Sequence, residues 1–142
     1  MTRKPEMPHI TIEYSANVAD HHDIDALVRA VHDAALSHSL PPADGLRTRA
    51  VARYHYRIAD GDAHHAFIAL EARIGPGRDN ETKSGFIKAL LDAAESRIAA
   101  EGGPLAVAWS AELAEIDDQF RINRNLVRAR IQAQSEHREH DR

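Results

Sequence analysis

The 142-residue chain has the size of a single domain, and its 43% hydrophobic and 28% charged residues are ordinary for a globular protein. A net charge of −4 gives no global attraction to nucleic acid or to an anionic membrane surface, so any anion site must be local. The chain has no cysteine, which excludes disulfides and a thiol nucleophile, and no apolar run approaches the ~20 residues of a membrane-spanning helix. We therefore expect a cytoplasmic protein without a nucleic-acid or membrane partner.

The start of the chain presents two alternatives. Residues 1–7 are polar and unpatterned, so we interpret them as a disordered leader or an over-called gene start. The next residues alternate polar side chains with apolar ones such as Ile10 and Ile12, which is typical of a half-buried strand. If translation starts at Met7 and this methionine is removed, Pro8 carries a free secondary amine that can serve as a base. If Pro8 is internal, its nitrogen belongs to a peptide bond.

Two amphipathic helices and three further strands follow in the pattern. Apolar residues recur at helical spacing over residues 24–35 and 87–98, and alternating residues predict strands over 46–58, 66–74 and 105–113. The turn signal Asp60-Gly61-Asp62 predicts that the second and third strands form a hairpin. We expect a single domain over residues 8–134, ending in a short helix over 121–134, and a frayed polar tail over 135–142.

The chain contains an internal duplication. The strand residues Ile10-Thr11-Ile12-Glu13 are repeated as Ile68-Ala69-Leu70-Glu71, and the apolar positions of the first helix are repeated in the second. This predicts an α+β fold of two pseudo-symmetric β-α-β units, whose four strands form one sheet. Each helix has a single apolar stripe, so both helices should cover the same face. The open face is then expected to pack on other subunits, which predicts a homo-oligomer.

Several separated motifs resemble those of a known family. They are Met7-Pro8-His9, Gly45-Leu46-Arg47-Thr48-Arg49-Ala50, Ala59-Asp60-Gly61 and Ile74-Gly75-Pro76-Gly77-Arg78. Together, over residues 8–130, they resemble the 5-carboxymethyl-2-hydroxymuconate Δ-isomerases of the tautomerase superfamily. The resemblance implies a homotrimer with sites at the subunit interfaces and an N-terminal proline as the acid and base. It also implies a double-bond shift in homoprotocatechuate catabolism, without a cofactor or a metal.

Three site residues follow from this resemblance by position. Pro8 is the expected catalytic residue, while Arg47 and Arg78 are expected to bind carboxylates of a di- or tricarboxylate substrate. Arginine suits this role because its planar guanidinium binds a carboxylate through two parallel hydrogen bonds. Charge alone does not distinguish Arg47 from Arg49 or Arg53 on the same strand face.

Alternatives remain for single residues. Arg78 could instead pair with Asp79 or Glu81, and Pro8 could simply open a strand, which proline tolerates. Ten histidines occur, but the adjacent pairs such as His21-His22 lie in polar loops, where neighbouring side chains point apart, so we expect no metal site. The arginines near the C-terminus, interleaved with acidic residues, are interpreted as a solvated helix face rather than a nucleic-acid site.

Two alternative functions also remain. One is a different tautomerase-type reaction on an unsaturated 2-oxo or 2-hydroxy acid, including hydration with Glu13 activating water. The other is a catalytically inactive trimeric binding scaffold, because an internal Pro8 has no basic nitrogen. A fold by itself does not decide among such functions.

Overall fold

The computed structural model of the protein describes residues 8–38 and 43–140. The leader, residues 1–7, lies outside the described residues. The main elements, in chain order, are strand β1 (His9–Ser15), helix α1 (Ile24–Ser37), strands β2 (Arg47–Arg53) and β3 (His65–Ile74), helix α2 (Asn80–Glu101), strand β4 (Ala106–Glu115) and helix α3 (Leu126–His140). Short 3₁₀ turns occupy Ala16–Asp20, Ala43–Gly45 and Asp118–Phe120.

The four strands form one mixed sheet in the order β2-β1-β3-β4. The pairs β1 with β2 and β3 with β4 are parallel, and each pair is connected through one helix. The central pair, β1 with β3, is antiparallel. This arrangement confirms the two β-α-β units and relates them by an approximate twofold axis.

Helices α1 and α2 cover one face of the sheet, as predicted. Alternate strand residues point into the core, and the helices contribute residues three to four positions apart. The fully buried members include Ile10, Ile12, Ile68 and Leu70 from the strands, with Leu27, Val31, Phe86 and Leu90 from the helices. Asp23 begins α1 by accepting a 3.1 Å hydrogen bond from Ala26 N, and Asp79 begins α2 by accepting a 2.7 Å hydrogen bond from Thr82 N. The capping aspartates therefore set where both helices start.

The other face of the sheet carries half-buried and exposed side chains. A trough of about 410 Å³ runs along it, lined by residues such as Thr11, Glu13 and Glu71. This is the open face of the sheet, which was expected because each helix has one apolar stripe and both helices cover the opposite face. In the part of the chain that the structure describes, no helix combines the length and apolar character that a membrane span requires.

The predicted hairpin is wrong. Strand β1 lies between β2 and β3, so the two strands that flank the turn do not pair. The turn itself is present, because Gly61 has φ 84° and its N–H donates to the Ile58 carbonyl at 2.8 Å. Strand β2 also ends earlier than predicted, at Arg53, because its last partner on β1 is Ser15. Beyond that pair the alternating residues have no neighbouring strand to bond.

The C-terminal helix differs from its prediction at both ends. It begins at Leu126 instead of residue 121, and the Asn125 side chain accepts a 3.1 Å hydrogen bond from Arg128 N at this start. It continues to His140, through most of the segment predicted as a frayed tail. Neither glycine nor proline follows Gln134 to end the helix.

Candidate active site

The topology brings the three predicted site residues to one edge of the sheet. Pro8 precedes β1, and Arg47 is the first residue of β2, which runs parallel to β1. Strand β3 runs antiparallel to β1 and ends at this edge with Ile74. The loop that carries Arg78 therefore begins there. Arg78 follows Ile74 by four positions, so their Cα atoms are at most roughly 14 Å apart. We call this end of the sheet the Pro8 edge.

Pro8 extends the ladder between β1 and β2. Its carbonyl accepts a 3.3 Å hydrogen bond from Arg47 N, and its side chain is fully buried. By strand alternation the Pro8 ring lies on the helix side of the sheet, as the Ile10 side chain does. The His9 side chain lies on the open face. The position suits a strand-opening proline and equally a buried terminal amine.

Arg47 lies at the Pro8 edge and Arg53 does not. Arg53 lies six positions after Arg47 along β2, which is a distance of about 20 Å. Arg53 is also engaged elsewhere, because its Nε donates to Glu13 Oε2 at 2.8 Å. Arg47 instead donates to the Asn123 side-chain oxygen at 3.3 Å and lies 3.5 Å from His9 Nε2. Position therefore separates two arginines that charge alone could not.

Arg78 lies half-buried in the loop between β3 and α2, directly after Gly77, which has φ 110°. The neighbouring Asp79 carboxylate caps α2, and its hydrogen bonds from the side chain and backbone of Thr82 lower the pKa of Asp79. Asp79 thus has a structural role of its own at the helix start.

Sequence reasoning missed three side chains at the Pro8 edge, namely His9, Arg73 and Arg121. His9 lies between Arg47 on β2 and Arg73 on β3 in the strand register. Its Nδ1 is 3.2 Å from Arg49 Nη1, and its Nε2 is 3.1 Å from Arg121 Nη2. His9 and Arg73 occupy polar positions of predicted strands, but the register between β1 and β3 cannot be read from the sequence.

The electrostatics of this cluster are strongly positive. Burial lowers the pKa of His9, and the charges of Arg47, Arg49 and Arg73 lower it further. The imidazole is therefore neutral at pH 7. Within the described residues, none of these three arginines forms an ion pair with a carboxylate. A substrate anion would find unneutralised positive charge here.

The chain after β4 crosses this edge. Arg121 contacts His9, Asn123 contacts Arg47, and Arg128 Nε donates to the Asp44 carboxylate at 3.0 Å. We call residues 117–128 the crossing segment. A cavity of about 270 Å³ lies between this segment and the sheet, lined by His9, Arg73, Ile116, Asp117, Phe120 and Arg121.

The histidine pairs do not gather into a metal site in the described residues, which contain no group of three or more potential metal ligands. His22 is buried, with Nδ1 3.5 Å from Glu101 Oε1, and His65 Nε2 is 2.8 Å from Asp60 Oδ1. Each of these two histidines contacts one nearby carboxylate and has a local structural role.

Comparison with known proteins identifies the family. The profile of the 5-carboxymethyl-2-hydroxymuconate isomerase family matches residues 8–131. The 5-carboxymethyl-2-hydroxymuconate Delta-isomerase of Escherichia coli is 26% identical over 123 residues, which are 87% of this chain and 98% of that protein. The crystal structure of a 5-carboxymethyl-2-hydroxymuconate isomerase from Deinococcus radiodurans R1 is 30% identical, with a TM-score of 0.81, and the match covers 90% of this chain and 96% of that one.

A more distant structure, a fused 4-OT symmetric trimer, shares the fold at 19% identity and a TM-score of 0.60, over 82% of this chain and 93% of that one. The four-stranded sheet with its helices is therefore a tautomerase-like α+β fold, as predicted. With the profile matching from Pro8 through α2 and β4 into α3, this chain belongs to the 5-carboxymethyl-2-hydroxymuconate isomerase family.

Proposed function

We propose that the chain is an isomerase that shifts the double bonds of 5-carboxymethyl-2-hydroxymuconate, with Pro8 as its acid and base. The observation that carries this proposal is the placement of Pro8 next to Arg47, Arg49 and Arg73, which form no ion pair with a carboxylate among the described residues. The family match, which begins at Pro8, supports the same conclusion.

The reaction requires a single group that moves a proton. The 2-hydroxyl loses its proton and becomes a ketone, the two conjugated double bonds become one between C3 and C4, and C5 gains a proton. No atoms are gained or lost, so a base that returns its proton to carbon completes the cycle. Such proton transfer is most effective when the pKa of the group lies near the working pH.

A terminal Pro8 amine meets this condition. An α-amine has a pKa of roughly 7.7 to 8.0 in peptides. Burial of Pro8 and the positive charges around His9 both disfavour the protonated amine and lower its pKa. The amine would then be a free base at neutral pH. We propose that the functional chain begins at Pro8, which makes the first seven residues an over-called start or a removed leader.

Arg47 and Arg78 are the proposed ligands of the substrate carboxylates. Arg47 opens β2 at the Pro8 edge, and Arg78 lies in the loop that follows β3 at the same edge. Guanidinium groups would orient the diene and stabilise the negative charge that develops when the hydroxyl is deprotonated. The substrate is therefore held at its anionic ends while Pro8 moves the proton.

We also propose a homotrimer with its sites at subunit interfaces. The open sheet face has no apolar helix stripe to cover it, and the crossing segment exposes large apolar side chains: Phe120 (81% exposed), Ile122 (83%) and Leu126 (83%). Such a run of exposed apolar residues is typical of an interface. Native mass spectrometry should show three chains per particle, and a monomer at micromolar concentration would contradict this assembly.

Hydration through Glu13 gains no support from the geometry. Glu13 accepts the hydrogen bond from Arg53, and five residues of strand, about 16 Å, separate it from Pro8. The isomerase is the function that the Pro8 edge supports.

The decisive experiment compares chains that begin at Met1, at Pro8, and at an alanine replacing Pro8. The loss of 5-carboxymethyl-2-hydroxymuconate is followed by ultraviolet absorbance. The chain starting at Pro8 should be active, and the Met1 chain should be slower by about 10² to 10⁴, the usual contribution of general acid–base catalysis. Equal rates for the Met1 and Pro8 chains would refute the free-amine mechanism, and inactivity of both would refute the proposed reaction. The alanine variant tests whether a primary amine suffices.

A further inference from the structure

A row of basic side chains crosses three strands at the Pro8 edge. Arg47 on β2, His9 on β1 and Arg73 on β3 are neighbours in register and share the open face, with Arg49 two residues further along β2. Adjacent strands lie about 4.8 Å apart, so Arg47 and Arg73 start roughly 10 Å from each other. The function proposed above assigns no substrate carboxylate to Arg49 or Arg73.

The His9 ring can accept a hydrogen bond from only one of the two arginines that approach its nitrogens. Guanidinium groups only donate hydrogen bonds, and a neutral imidazole has one accepting nitrogen and one N–H. Arg49 approaches Nδ1 at 3.2 Å, while Arg121 approaches Nε2 at 3.1 Å. Whichever tautomer is present, one arginine therefore faces an N–H instead of an acceptor. An anion with several lone pairs placed beside the ring would accept from both.

The surrounding carboxylates do not supply that acceptor. Cations elsewhere have close acidic partners, such as Arg53 with Glu13 at 2.8 Å and Lys83 with Glu115 at 2.6 Å. Asp117 lines the same cavity, but its Oδ1 accepts from the Gln119 N–H at 2.9 Å.

Glu71 lies two residues from Arg73 on β3 and forms no ion pair with a described cation. Among the described residues, Arg49 and Arg73 thus form no ion pair with a carboxylate.

We propose that Arg73 and Arg49 bind an additional carboxylate of the substrate, with His9 as a hydrogen-bonding group between them. The cavity of about 270 Å³ beside His9 and Arg73 gives this carboxylate room. Because Arg47 and Arg78 hold two carboxylates in the function proposed above, on which this inference rests, the added pair selects a substrate with three carboxylates over one with two. Arg73 and Arg49 are thus specificity-determining residues.

The test compares two substrates that share the 2-hydroxydiene and differ in one carboxylate. These are 5-carboxymethyl-2-hydroxymuconate and 2-hydroxymuconate, which lacks the carboxymethyl group. In the chain starting at Pro8, Arg73→Gln and Arg49→Gln should raise KM for the tricarboxylate by about 10- to 100-fold, the range expected for a lost charge-assisted contact. KM for the dicarboxylate should change less than about threefold, and kcat should be nearly unaffected for both. Equal losses on both substrates would overturn the inference.

Arg53→Gln is the matched control, because it removes an arginine from the same sheet face at the opposite end of β2. It should leave the preference for the tricarboxylate unchanged.

A binding measurement keeps this inference separate from the proposed reaction. Calorimetry with propane-1,2,3-tricarboxylate and with glutarate needs no turnover. The unmodified chain should bind the tricarboxylate more tightly, and Arg73→Gln should remove that difference. If the unmodified chain binds the two acids equally, the additional carboxylate site is refuted, even if the enzyme is active. An inactive chain that still discriminates through Arg73 would refute the reaction alone.

Discussion

Replacing Arg47 by glutamine tests how the Pro8 edge recognises its substrate. The guanidinium donates to the Asn123 side-chain oxygen at 3.3 Å and approaches His9 Nε2 at 3.5 Å. Both contacts are long and join it to neutral groups, so their loss should cost less than about 1 kcal/mol of unfolding free energy. Removal of one charge from a cluster of like charges also relieves repulsion. The folded state should therefore tolerate Arg47→Gln.

The effect on catalysis should be far larger. A charge-assisted hydrogen bond to a carboxylate contributes about 1.5 to 3 kcal/mol, and each 1.36 kcal/mol changes a rate tenfold. We therefore expect kcat/KM for 5-carboxymethyl-2-hydroxymuconate to fall roughly 10- to 150-fold in a chain starting at Pro8. Initial rates from ultraviolet absorbance measure this ratio, and urea unfolding of the same preparation measures the stability.

Arg53→Gln supplies the comparison for this prediction. Its side chain is 54% exposed and pairs with Glu13 at the far end of β2, so the pair should contribute no more than about 1 kcal/mol to stability. Its kcat/KM should stay within about twofold of the unmodified chain, because about 20 Å of strand separates Arg53 from Arg47. Similar losses in both variants, or none in Arg47→Gln, would remove Arg47 from the substrate site.

Four further predictions concern the scaffold and the cluster. Asp23→Ala removes the side-chain acceptor of the Ala26 N–H at the start of α1 and should lower the unfolding free energy in urea by about 1 kcal/mol. Gly85→Ala should raise it by about 0.5 to 1 kcal/mol, since this exposed glycine lies within α2 and an added Cβ meets nothing within 4 Å. Gly102→Ala should lower it by about 1 kcal/mol, because φ is 68° there. NMR titration of His9 should give a pKa below 6.5. The contribution of His9 to stability should be complete above pH 6.5 and should be lost as the pH falls through the lowered pKa of the folded state. An unshifted titration would contradict the described surroundings of the ring.

The secondary structure and the duplication could be predicted because they depend on local patterns. Strand alternation and helical spacing report which side chains are buried. Both Asp20 and Asp23 are possible caps of the first helix by sequence, and the structure uses Asp23. The pairing of the strands could not be predicted from local patterns. The turn around Gly61 suggested a hairpin, yet the neighbour of β3 is β1, so a correct local turn gave a wrong long-range pair. Periodicity carries no information about which strands become neighbours.

Part of the candidate site could be proposed from the sequence because Pro8, Arg47 and Arg78 stand in recognisable motifs. In the structure Pro8 and Arg47 lie at one edge, and Arg78 lies in the loop that begins there. His9 and Arg73 stand out only when the antiparallel register of β1 and β3 is known, because they are 64 residues apart in the chain and adjacent in the sheet. Arg121 needs still more, since it reaches the cluster from the irregular crossing segment.

The duplication itself shows that the charges at the Pro8 edge are not required by the fold. Aligning Ile10–Glu13 with Ile68–Glu71 places Phe67 in the second unit where the first has His9. The same alignment and the strand register place Ala108 where the first unit has Arg47, Ser110 where it has Arg49, and Ser15 where it has Arg73. The second unit thus forms the same strand pairs with uncharged side chains.

Clustered like charges cost free energy unless an anion neutralises them. A scaffold alone could use small or apolar residues at the Pro8 edge, as its own second half does with Phe67 and Ala108. Arg47, Arg49 and Arg73 are exposed, so solvent screens part of their repulsion, and the described contacts contain no carboxylate that neutralises the rest. A polycarboxylate bound beside Pro8, as proposed above, would supply such a carboxylate, which makes the asymmetry between the two units an argument for a substrate site instead of a purely structural edge.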